Sequence, residues 1–360
     1  MNENLQSVAA PKAFGVSPLH LFPGQVGADS RRLLRIEKVA RTLAGMLLCC
    51  AITPAHAQSN APYWLQESAK RVHDPSTIVR EGNTFWMFST GFGVKSFHST
   101  NLLDWEPAAP VFAQMPAWVR DVVPEQRMHF WAPDVIRAGN HWLLYYSVSS
   151  FGKNTSAIAL ATTPTLDPKD PAFKWTDEGI VIRSYRTNNF NTIDPAVVFD
   201  AEGRLWLAFG SYWSGIKLVE LDAKTGKRIA PDSTMHSLAS NDHIEAAFIH
   251  RRATNYFLFL NWGQCCKGTN STYEIRVGRS SKITGPYLDR EGRDMIGGGG
   301  TLVLGSEGKF IGPGHAGIVN DGAQDWFSFH YYDGTNRGRS VIGLRKLSWD
   351  KDGWPVVARE

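Results

Sequence analysis

The stretch that decides the fold reads Ile193-Asp194-Pro195-Ala196-Val197-Val198-Phe199-Asp200, turns at Glu202-Gly203, and continues as Leu205-Trp206-Leu207-Ala208-Phe209. Both halves have the length of a strand and consist mainly of β-branched, aromatic and aliphatic residues. A glycine beside an acidic residue is typical of the turn between two antiparallel strands. The stretch therefore predicts a β-hairpin that begins with a carboxylate and a proline.

The same pattern returns five times, at intervals of about fifty to seventy residues, the period of propeller blades with loop insertions. The copies begin at His73-Asp74-Pro75, Trp131-Ala132-Pro133, Ile193-Asp194-Pro195, Ile244-Glu245-Ala246-Ala247 and Gly314-His315-Ala316-Gly317. Turn residues and further strand-like segments follow each copy, enough for four antiparallel strands per blade. The sequence therefore predicts an all-β protein, a five-bladed β-propeller with its active site in a central cleft.

Radial repetition places equivalent positions of every blade around one axis. Four polar residues distant in the sequence would then converge in one pocket, namely Asp74, Asp194, Glu245 and His315. The Asp-Pro pairs also have a plainer interpretation, as turn-initiating dipeptides that recur once per blade. Asp134 follows its proline instead of preceding it, so we do not count it in the pocket.

The first 57 residues differ from the rest. Five basic residues from Arg31 to Arg41 precede an apolar run over 43–52 and then Ala55-His56-Ala57. This order is typical of a secretory signal cleaved near Ala57–Gln58, and it predicts a secreted or periplasmic protein. The apolar run is too short to span a bilayer. Residues 58–360 are expected to form a single propeller catalytic domain, and a misassigned start codon would explain the unusually long n-region.

The charge of the chain argues against some partners. The leader carries six basic and three acidic residues, so only about +1 of the formal net charge of +4 belongs to residues 58–360. So small a net charge does not indicate binding to nucleic acid or to an anionic surface, and it is more consistent with a neutral substrate. We expect no nucleic acid, no membrane association after signal removal, and a monomer.

The cysteines supply no long-range cross-link. Cys49 and Cys50 lie in the leader, and Cys265 and Cys266 are adjacent, so they form either a vicinal disulfide or two thiols. Spacings typical of metal fingers are absent from the sequence. Stability must therefore come from a large apolar core, which about 300 residues can supply.

Two carboxyl groups are enough to cleave a glycosidic bond. One protonates the leaving oxygen and the other activates water. A third carboxylate nearby raises the pKa of the acid by like-charge repulsion and keeps it protonated at neutral pH. Asp74, Asp194 and Glu245 match this requirement for three acids with different protonation.

Aromatic residues next to the repeat starts could line a carbohydrate cleft, because sugar C–H faces stack on aromatic rings. The candidates in loop-rich segments are Trp131, Phe151 and Trp213. Tryptophans at alternating strand positions are expected to pack between blades instead, as at Trp86, Trp142 and Trp206. His315 has two interpretations, as a hydrogen-bonded structural residue or as a ligand for a metal ion or its water shell beneath the carboxylates.

Several longer stretches resemble a known family. They include Tyr145-Tyr146-Ser147-Val148-Ser149-Ser150-Phe151-Gly152-Lys153-Asn154, Gly210-Ser211-Tyr212-Trp213-Ser214-Gly215, Cys265-Cys266-Lys267-Gly268 and Trp349-Asp350-Lys351-Asp352-Gly353-Trp354-Pro355. Together with the repeat starts, and in unbroken order from about residue 70 to the end, they resemble the endo-1,5-α-L-arabinanases of glycoside hydrolase family 43.

This resemblance implies a five-bladed propeller that hydrolyses α-1,5-linked arabinan internally and with inversion. It implies that Asp74 is the general base, Asp194 the residue that tunes the pKa and orients the substrate, and Glu245 the general acid. It also implies a calcium ion near His315, and a sugar cleft lined by Trp131 and Phe151. One departure is Ala247, where the family has proline, which removes a fixed φ near the acid but deletes no catalytic group.

Other functions are weighed against this one. An exo-acting α-L-arabinofuranosidase or a β-xylosidase of the same family would share the three acids and differ in the loops that close the cleft. A sugar-binding propeller without catalysis would be favoured if the acids were replaced, and they are present. Fructan-cleaving propellers are disfavoured because their Asn-Asp-Pro-Asn and Arg-Asp-Pro sequences do not occur.

Overall fold

The computed structural model describes residues 71–359, and the predicted signal peptide within residues 1–57 lies outside them. In the described part, twenty-one strands form five antiparallel sheets. Each sheet is one blade, and each begins at one of the five sequence repeats. The predicted all-β, five-bladed β-propeller is confirmed.

The strands follow the repeats in order. The first blade contains β1 (Val79–Glu81), β2 (Thr84–Ser89), β4 (Lys95–Ser99) and β5 (Glu106–Ala108), while the short β3 (Gly91–Phe92) pairs with the second blade. The second blade continues with β6 (His129–Ala138), β7 (His141–Val148), β8 (Ser156–Thr163) and β9 (Thr176–Ser184). The third contains β10 (Ala196–Phe199), β11 (Leu205–Phe209), β12 (Ile216–Leu221) and β13 (His236–Ala239).

The last two blades have the same simple order. The fourth contains β14 (Ile244–Arg252), β15 (Asn255–Trp262), β16 (Glu274–Ser280) and β17 (Thr301–Leu304). The fifth contains β18 (Phe310–Asn320), β19 (Asp325–Asp333), β20 (Arg339–Trp349) and β21 (Pro355–Val357).

Helices are short in the part of the chain that the structure describes. They are α1 (Val119–Val122) and two 3-10 helices, Gly268–Asn270 and Met295–Gly297. Among residues 71–359, no helix has the length and apolar character needed to cross a membrane.

The opening hairpin is closed by its own aspartate. The Asp200 carboxylate accepts hydrogen bonds from the backbone N–H groups of Glu202 (3.0 Å) and Arg204 (2.8 Å), and from Trp206 Nε1 (2.8 Å). A side chain that bonds its own backbone two residues on stabilises a turn. The acidic-glycine sequence therefore forms the turn that the pattern predicts.

The core lies between the blades. Five clusters of buried apolar side chains fill the five interfaces between neighbouring blades. The last of them closes the ring, because Ile78 and Met87 of the first blade pack with Val319 of the fifth. The predicted packing tryptophans are buried, at 6 %, 6 % and 4 % exposure for Trp86, Trp142 and Trp206.

Asp134 ties three blades together. This buried carboxylate accepts the backbone N–H of Thr77 through Oδ1 (3.0 Å) and that of Val197 through Oδ2 (2.8 Å). It therefore joins the starts of the first three blades. Both of its oxygens bond to backbone groups, which agrees with its exclusion from the predicted pocket.

Candidate active site

One residue in each blade has a left-handed backbone at the start of the innermost strand. These residues are Asp74 (φ 49°), Ala132 (φ 44°), Asp194 (φ 58°), Ala246 (φ 54°) and His315 (φ 60°). The conformation is uncommon for residues other than glycine and costs on the order of 1–3 kcal/mol, so the surrounding structure must hold it. In three blades the strand pairing also loses register here. Bulges of this kind change the direction of side chains at functional sites.

The fourth blade is shifted by one position. Its left-handed residue is Ala246, so the acid Glu245 precedes it, as the sequence alignment on proline suggests. The Ala246 backbone N–H donates to Asp194 Oδ2 at 3.2 Å, which connects the third and fourth blades. Because of this shift, Glu245 lies next to Asp194 and does not occupy the position that Asp74 and Asp194 have in their own blades.

The structure brings the four predicted polar residues together. His315 Nδ1 lies 3.3 Å from Asp74 Oδ1. Asp74 and Asp194 both influence the ionisation of Glu245, and His315 influences all three acids. Asp194 and Glu245 are buried, at 7 % and 8 % exposure. Blades one, three, four and five therefore bring three carboxyl groups and the His315 imidazole into one pocket.

Asp74 is ionised in this pocket. Its Oδ2 accepts a hydrogen bond from Thr90 Oγ1 (2.6 Å) and contacts His73 Nδ1 (2.9 Å). Burial raises the pKa of Asp74, but the charges and hydrogen bonds of His73 and His315 outweigh burial and hold the pKa well below its usual range. Asp74 can therefore accept a proton at neutral pH.

The protonation of Glu245 is opposite to that of Asp74. Its Oε2 accepts a hydrogen bond from Ser211 Oγ at 2.6 Å, and its Oε1 accepts one from Tyr273 Oη. Burial raises the pKa of Glu245 to about 8, and the negative charge of Asp194 adds to the rise. Glu245 is therefore protonated at neutral pH and can donate a proton.

The pKa of Asp194 lies between those of Asp74 and Glu245. Its backbone N–H donates to Ser147 Oγ at 3.0 Å, and its side chain accepts the Ala246 N–H. Burial raises the pKa of Asp194 to about 6, although His315 opposes the rise. At neutral pH Asp194 is mostly ionised, so its charge acts on Glu245 as the three-acid argument requires.

We expect the kcat/KM profile of the enzyme to fall on its alkaline side near pH 8. As a catalytic acid Glu245 would have to be protonated, so activity would be present below its pKa and would be lost as the pH rises through that value. Asp194→Asn removes a negative charge from beside Glu245, lowers the pKa of Glu245, and so moves the alkaline limb to lower pH. Initial rates from pH 5 to about 10, measured for the wild type and for Asp194→Asn, give the position of the alkaline limb in each protein.

Glu202→Gln is the matched control, because the Glu202 side chain is 65 % exposed and neutralising it leaves the pocket unchanged. An alkaline limb that Asp194→Asn leaves in place would show that the charge of Asp194 does not set the ionisation of Glu245.

The predicted sugar-binding aromatics lie in segments at the same strand ends as the acids. Trp131 directly precedes Ala132 and donates from Nε1 to His129 Nδ1 at 3.1 Å. Phe151 follows β7 and is 80 % exposed, and Trp213 follows β11 and is 45 % exposed. Trp213 and its neighbour Tyr212 both have left-handed backbones, at φ 42° and 52°. Exposed rings on this face are available to stack on sugars.

Several residues of the pocket were not predicted from the sequence. His330 and Tyr273 lie in and beside strands of the last two blades, and Ser211 and Thr90 follow second strands. His330 Nδ1 accepts the Asp74 backbone N–H at 3.1 Å, and burial lowers the pKa of His330 well below its usual range. A histidine within the apolar run Phe327-Ser328-Phe329-His330 is a signal that could have identified it.

A metal ion could be held in this pocket. His73, Asp74 and His330 offer ligand atoms that lie within 4.8 Å of one another. Those atoms already have partners in the protein, since His330 Nδ1 accepts the Asp74 N–H and His73 bonds through both ring nitrogens. His315 contacts Asp74 through Nδ1, and its backbone N–H donates to Asn261 Oδ1 at 2.9 Å. Two ring nitrogens could therefore bind an ion, namely Nε2 of His315 and Nε2 of His330, which is buried without a hydrogen-bond partner among the described residues.

The adjacent cysteines are joined. Cys265 and Cys266 form a vicinal disulfide, which resolves the two alternatives of the sequence. The bridge lies in the turn between β15 and β16, and Cys266 Sγ is 3.8 Å from His73 Nε2.

A five-bladed propeller with an ionised and a protonated carboxyl group in one pocket has the two groups that a glycoside hydrolase needs, a base and an acid. The model of the glycosyl hydrolases family 43 matches residues 68–355, and this chain belongs to that family. The resemblance noted from the sequence is thereby confirmed.

Relatives in this family include both modes of cleavage. The chain is 39 % identical over 300 residues to an extracellular exo-α-(1→5)-L-arabinofuranosidase of Cellvibrio japonicus, covering 79 % of this chain and 86 % of the relative. It is 38 % identical over 333 residues to the extracellular endo-α-(1→5)-L-arabinanase 1 of Bacillus subtilis, covering 90 % and 97 %. The solved structure of a Cellvibrio cellulosa α-L-arabinanase with arabinohexaose is similar, with a TM-score of 0.77, 39 % identity, and coverage of 81 % and 96 %.

Proposed function

We propose that this protein is an exported endo-α-1,5-L-arabinanase, which cleaves internal linkages of arabinan, a pectin side chain of plant cell walls. The observation that carries the proposal is the opposite protonation of Asp74 and Glu245 in a shared pocket. The relatives named as acting on α-(1→5)-linked arabinose supply the substrate class.

In the proposed mechanism, Asp74 removes a proton from a water molecule that attacks the anomeric carbon. Asp74 Oδ2 has the two short contacts, with Thr90 and His73, whereas Oδ1 has only the longer contacts with His315 (3.3 Å) and His330 (3.7 Å), so Oδ1 is the oxygen proposed to take the proton. Glu245 donates its proton to the leaving glycosidic oxygen. Ser211 and Tyr273 both donate to Glu245, so its own proton remains available for the substrate. Asp194 keeps Glu245 protonated and orients the sugar.

The reaction is proposed to invert the anomeric configuration. Water attacks on the face opposite the leaving group, which requires the two carboxyl groups to be about 6.5–9.5 Å apart, whereas retaining enzymes have about 5–5.5 Å. We expect the first sugar product to have the inverted configuration in an ¹H NMR time course, and a product of retained configuration would contradict the mechanism.

Trp131, Phe151 and Trp213 are proposed to bind the arabinan chain by stacking. The sugar is neutral, so affinity comes from C–H faces against rings and from hydrogen bonds. This suits a chain that carries about +1 beyond its leader, and the enzyme is proposed to act as a monomer.

A calcium ion is proposed to bind near His315, with Nε2 of this residue as its protein ligand. Calcium prefers oxygen ligands, so a site with one imidazole would take most of its ligands from water. Burial lowers the pKa of His315, but the Asp74 carboxylate outweighs burial and raises it to about 9. A cation at Nε2 would replace the proton there and keep a positive charge beside Asp74.

We expect a chelator to lower the activity of the enzyme and calcium to restore it. His315→Gln removes the imidazole ligand and should remove the calcium response together with most of the activity. Initial rates on linear arabinan with and without EDTA measure both effects. Full activity in EDTA after exhaustive dialysis would contradict a functional ion.

The products of early digestion distinguish endo from exo cleavage. We expect oligosaccharides of mixed length from linear arabinan, because an endo-enzyme cuts at internal linkages. A single small product from the start would instead support an exo-acting α-L-arabinofuranosidase, a second candidate favoured by the Cellvibrio japonicus relative. Tight arabinan binding without release of reducing sugar would contradict both.

The domain organisation and the location are also proposed. Residues 1–57 would contain the signal peptide and residues 58–360 the single catalytic propeller, and two relatives are named extracellular. A mature protein that begins at Gln58 after export would support this division.

A further inference from the structure

The vicinal disulfide and Asp74 are connected by a continuous chain of hydrogen bonds. The Cys266 backbone N–H donates to Tyr332 Oη at 2.7 Å. Tyr332 Oη lies 2.8 Å from His73 Nε2, and His73 Nδ1 lies 2.9 Å from Asp74 Oδ2. The chain joins a turn of the fourth blade to the first blade through a residue of the fifth.

The direction of the hydrogen bonds follows from the donors. A backbone N–H can only donate, so Tyr332 Oη accepts from Cys266, and the same hydroxyl is hydrogen-bonded to His73 Nε2. A carboxylate can only accept, so His73 donates from Nδ1 to Asp74. The ring of His73 is also stacked on that of His330, with centroids 4.3 Å apart.

The turn that starts the chain is held in an uncommon conformation. Cys266 has a left-handed backbone, with φ 67°, and its side chain is bonded covalently to that of Cys265. Adjacent cysteines cannot join distant parts of the fold, so the bridge restrains only this turn. The restraint fixes the direction of the Cys266 N–H, which is the group that Tyr332 contacts.

We propose that the Cys265–Cys266 turn, Tyr332 and His73 act together as positioning residues that hold Asp74 in the orientation needed to activate water. The inference rests on the proposed function, which makes Asp74 the general base. None of the three touches the reacting atoms. They act through the His73 contact on Asp74 Oδ2, the oxygen that also accepts a hydrogen bond from Thr90.

Tyr332→Phe tests the chain without removing a ring from the core. We expect kcat on linear arabinan to fall about 10- to 100-fold, as for other residues that orient a catalytic group, with KM within about twofold. Tyr145→Phe is the matched control, because the buried Tyr145 hydroxyl donates to the Gly226 carbonyl (2.9 Å) away from the pocket. It should lower the stability slightly and leave kcat unchanged. An unchanged kcat in Tyr332→Phe would overturn the proposal.

The double variant Cys265→Ser/Cys266→Ser tests the turn. We expect it to stay folded, to lose kcat several-fold, and to add little to the loss in a Tyr332→Phe background, because both changes break one chain. Fully additive losses would show that the disulfide and Tyr332 act independently, and would overturn the proposal.

A spectroscopic measurement separates this inference from the catalytic assignment. A His73 ring proton bonded to a buried carboxylate should give a slowly exchanging ¹H resonance that is absent in His73→Gln. The resonance should shift or broaden in Tyr332→Phe, even in an inactive Glu245→Gln background, and an unaffected resonance would overturn the proposed chain. Retained activity in Asp74→Asn would instead overturn the proposed function, while this resonance would still report on the chain.

Discussion

Replacing Glu245 with glutamine is expected to lower kcat on linear arabinan by on the order of 10³-fold, within the usual range for loss of a general acid. Glutamine has nearly the same shape as protonated glutamic acid and is also neutral. Its oxygen can accept from one of the hydroxyls of Ser211 and Tyr273, and its NH₂ group can donate to the other, since a hydroxyl also accepts. It has no proton to give to the leaving oxygen. The fold should therefore remain intact while the chemical step is lost.

The leaving group distinguishes this role from a general loss of structure. An aryl arabino-oligosaccharide with a dinitrophenolate leaving group needs no protonation, so Glu245→Gln should hydrolyse it at a rate much closer to that of the wild type. Rates on both substrates and the thermal unfolding temperature are the measurements. Equal losses on the two substrates would reject Glu245 as the acid.

Replacing Asp74 with asparagine is expected to lower kcat by about 10³- to 10⁴-fold, near the upper end for an acid–base residue. Asp74 is the carboxylate whose pKa is held well below its usual range, so in the wild type it is ready to take a proton from water. An amide cannot take that proton. Its NH₂ group would also face the donors on Thr90 and His73, which disturbs the pocket further.

Water activation is needed whatever the leaving group, so Asp74→Asn should be inactive on arabinan and on the dinitrophenyl substrate alike. Asp134→Asn is a suitable control, since Asp134 is another buried aspartate near the same strand starts but bonds to the backbone N–H groups of Thr77 and Val197 and not to the three acids. We expect it to lower the stability and to keep kcat. Substantial hydrolysis by Asp74→Asn on either substrate would reject the proposed base.

The repeats made the fold predictable. Each blade is a local unit of strands and turns, so the alternation of residues and the acidic-glycine turns specify it without reference to distant parts of the chain. Asp200 shows this, because its side chain closes its own hairpin with residues two to six positions away. Trp86, Trp142 and Trp206 were assigned to the core for the same reason, as they occupy equivalent strand positions.

The site was only partly predictable. Asp74, Asp194, Glu245 and His315 start the repeats, so aligning the copies was enough to bring them to one axis. His330, Tyr332 and Tyr273 lie elsewhere in the blades, and no local pattern relates them to the acids. Tyr273 reaches Glu245 within the fourth blade, whereas His330 contacts Asp74 and Tyr332 contacts His73 only when the fifth blade closes against the first.

The sequence by itself determined the five blades, the acids at their starts, and the neutral charge that suits a sugar. Only the tertiary structure decided which acid is ionised and which is protonated. Ionisation depends on burial and on the charges within a few ångströms. The His315 imidazole beside Asp74 and the Asp194 carboxylate beside Glu245 come from other blades, although His73 is the sequence neighbour of Asp74. Local sequence fixes strands and turns, whereas electrostatic environment arises only when distant residues meet.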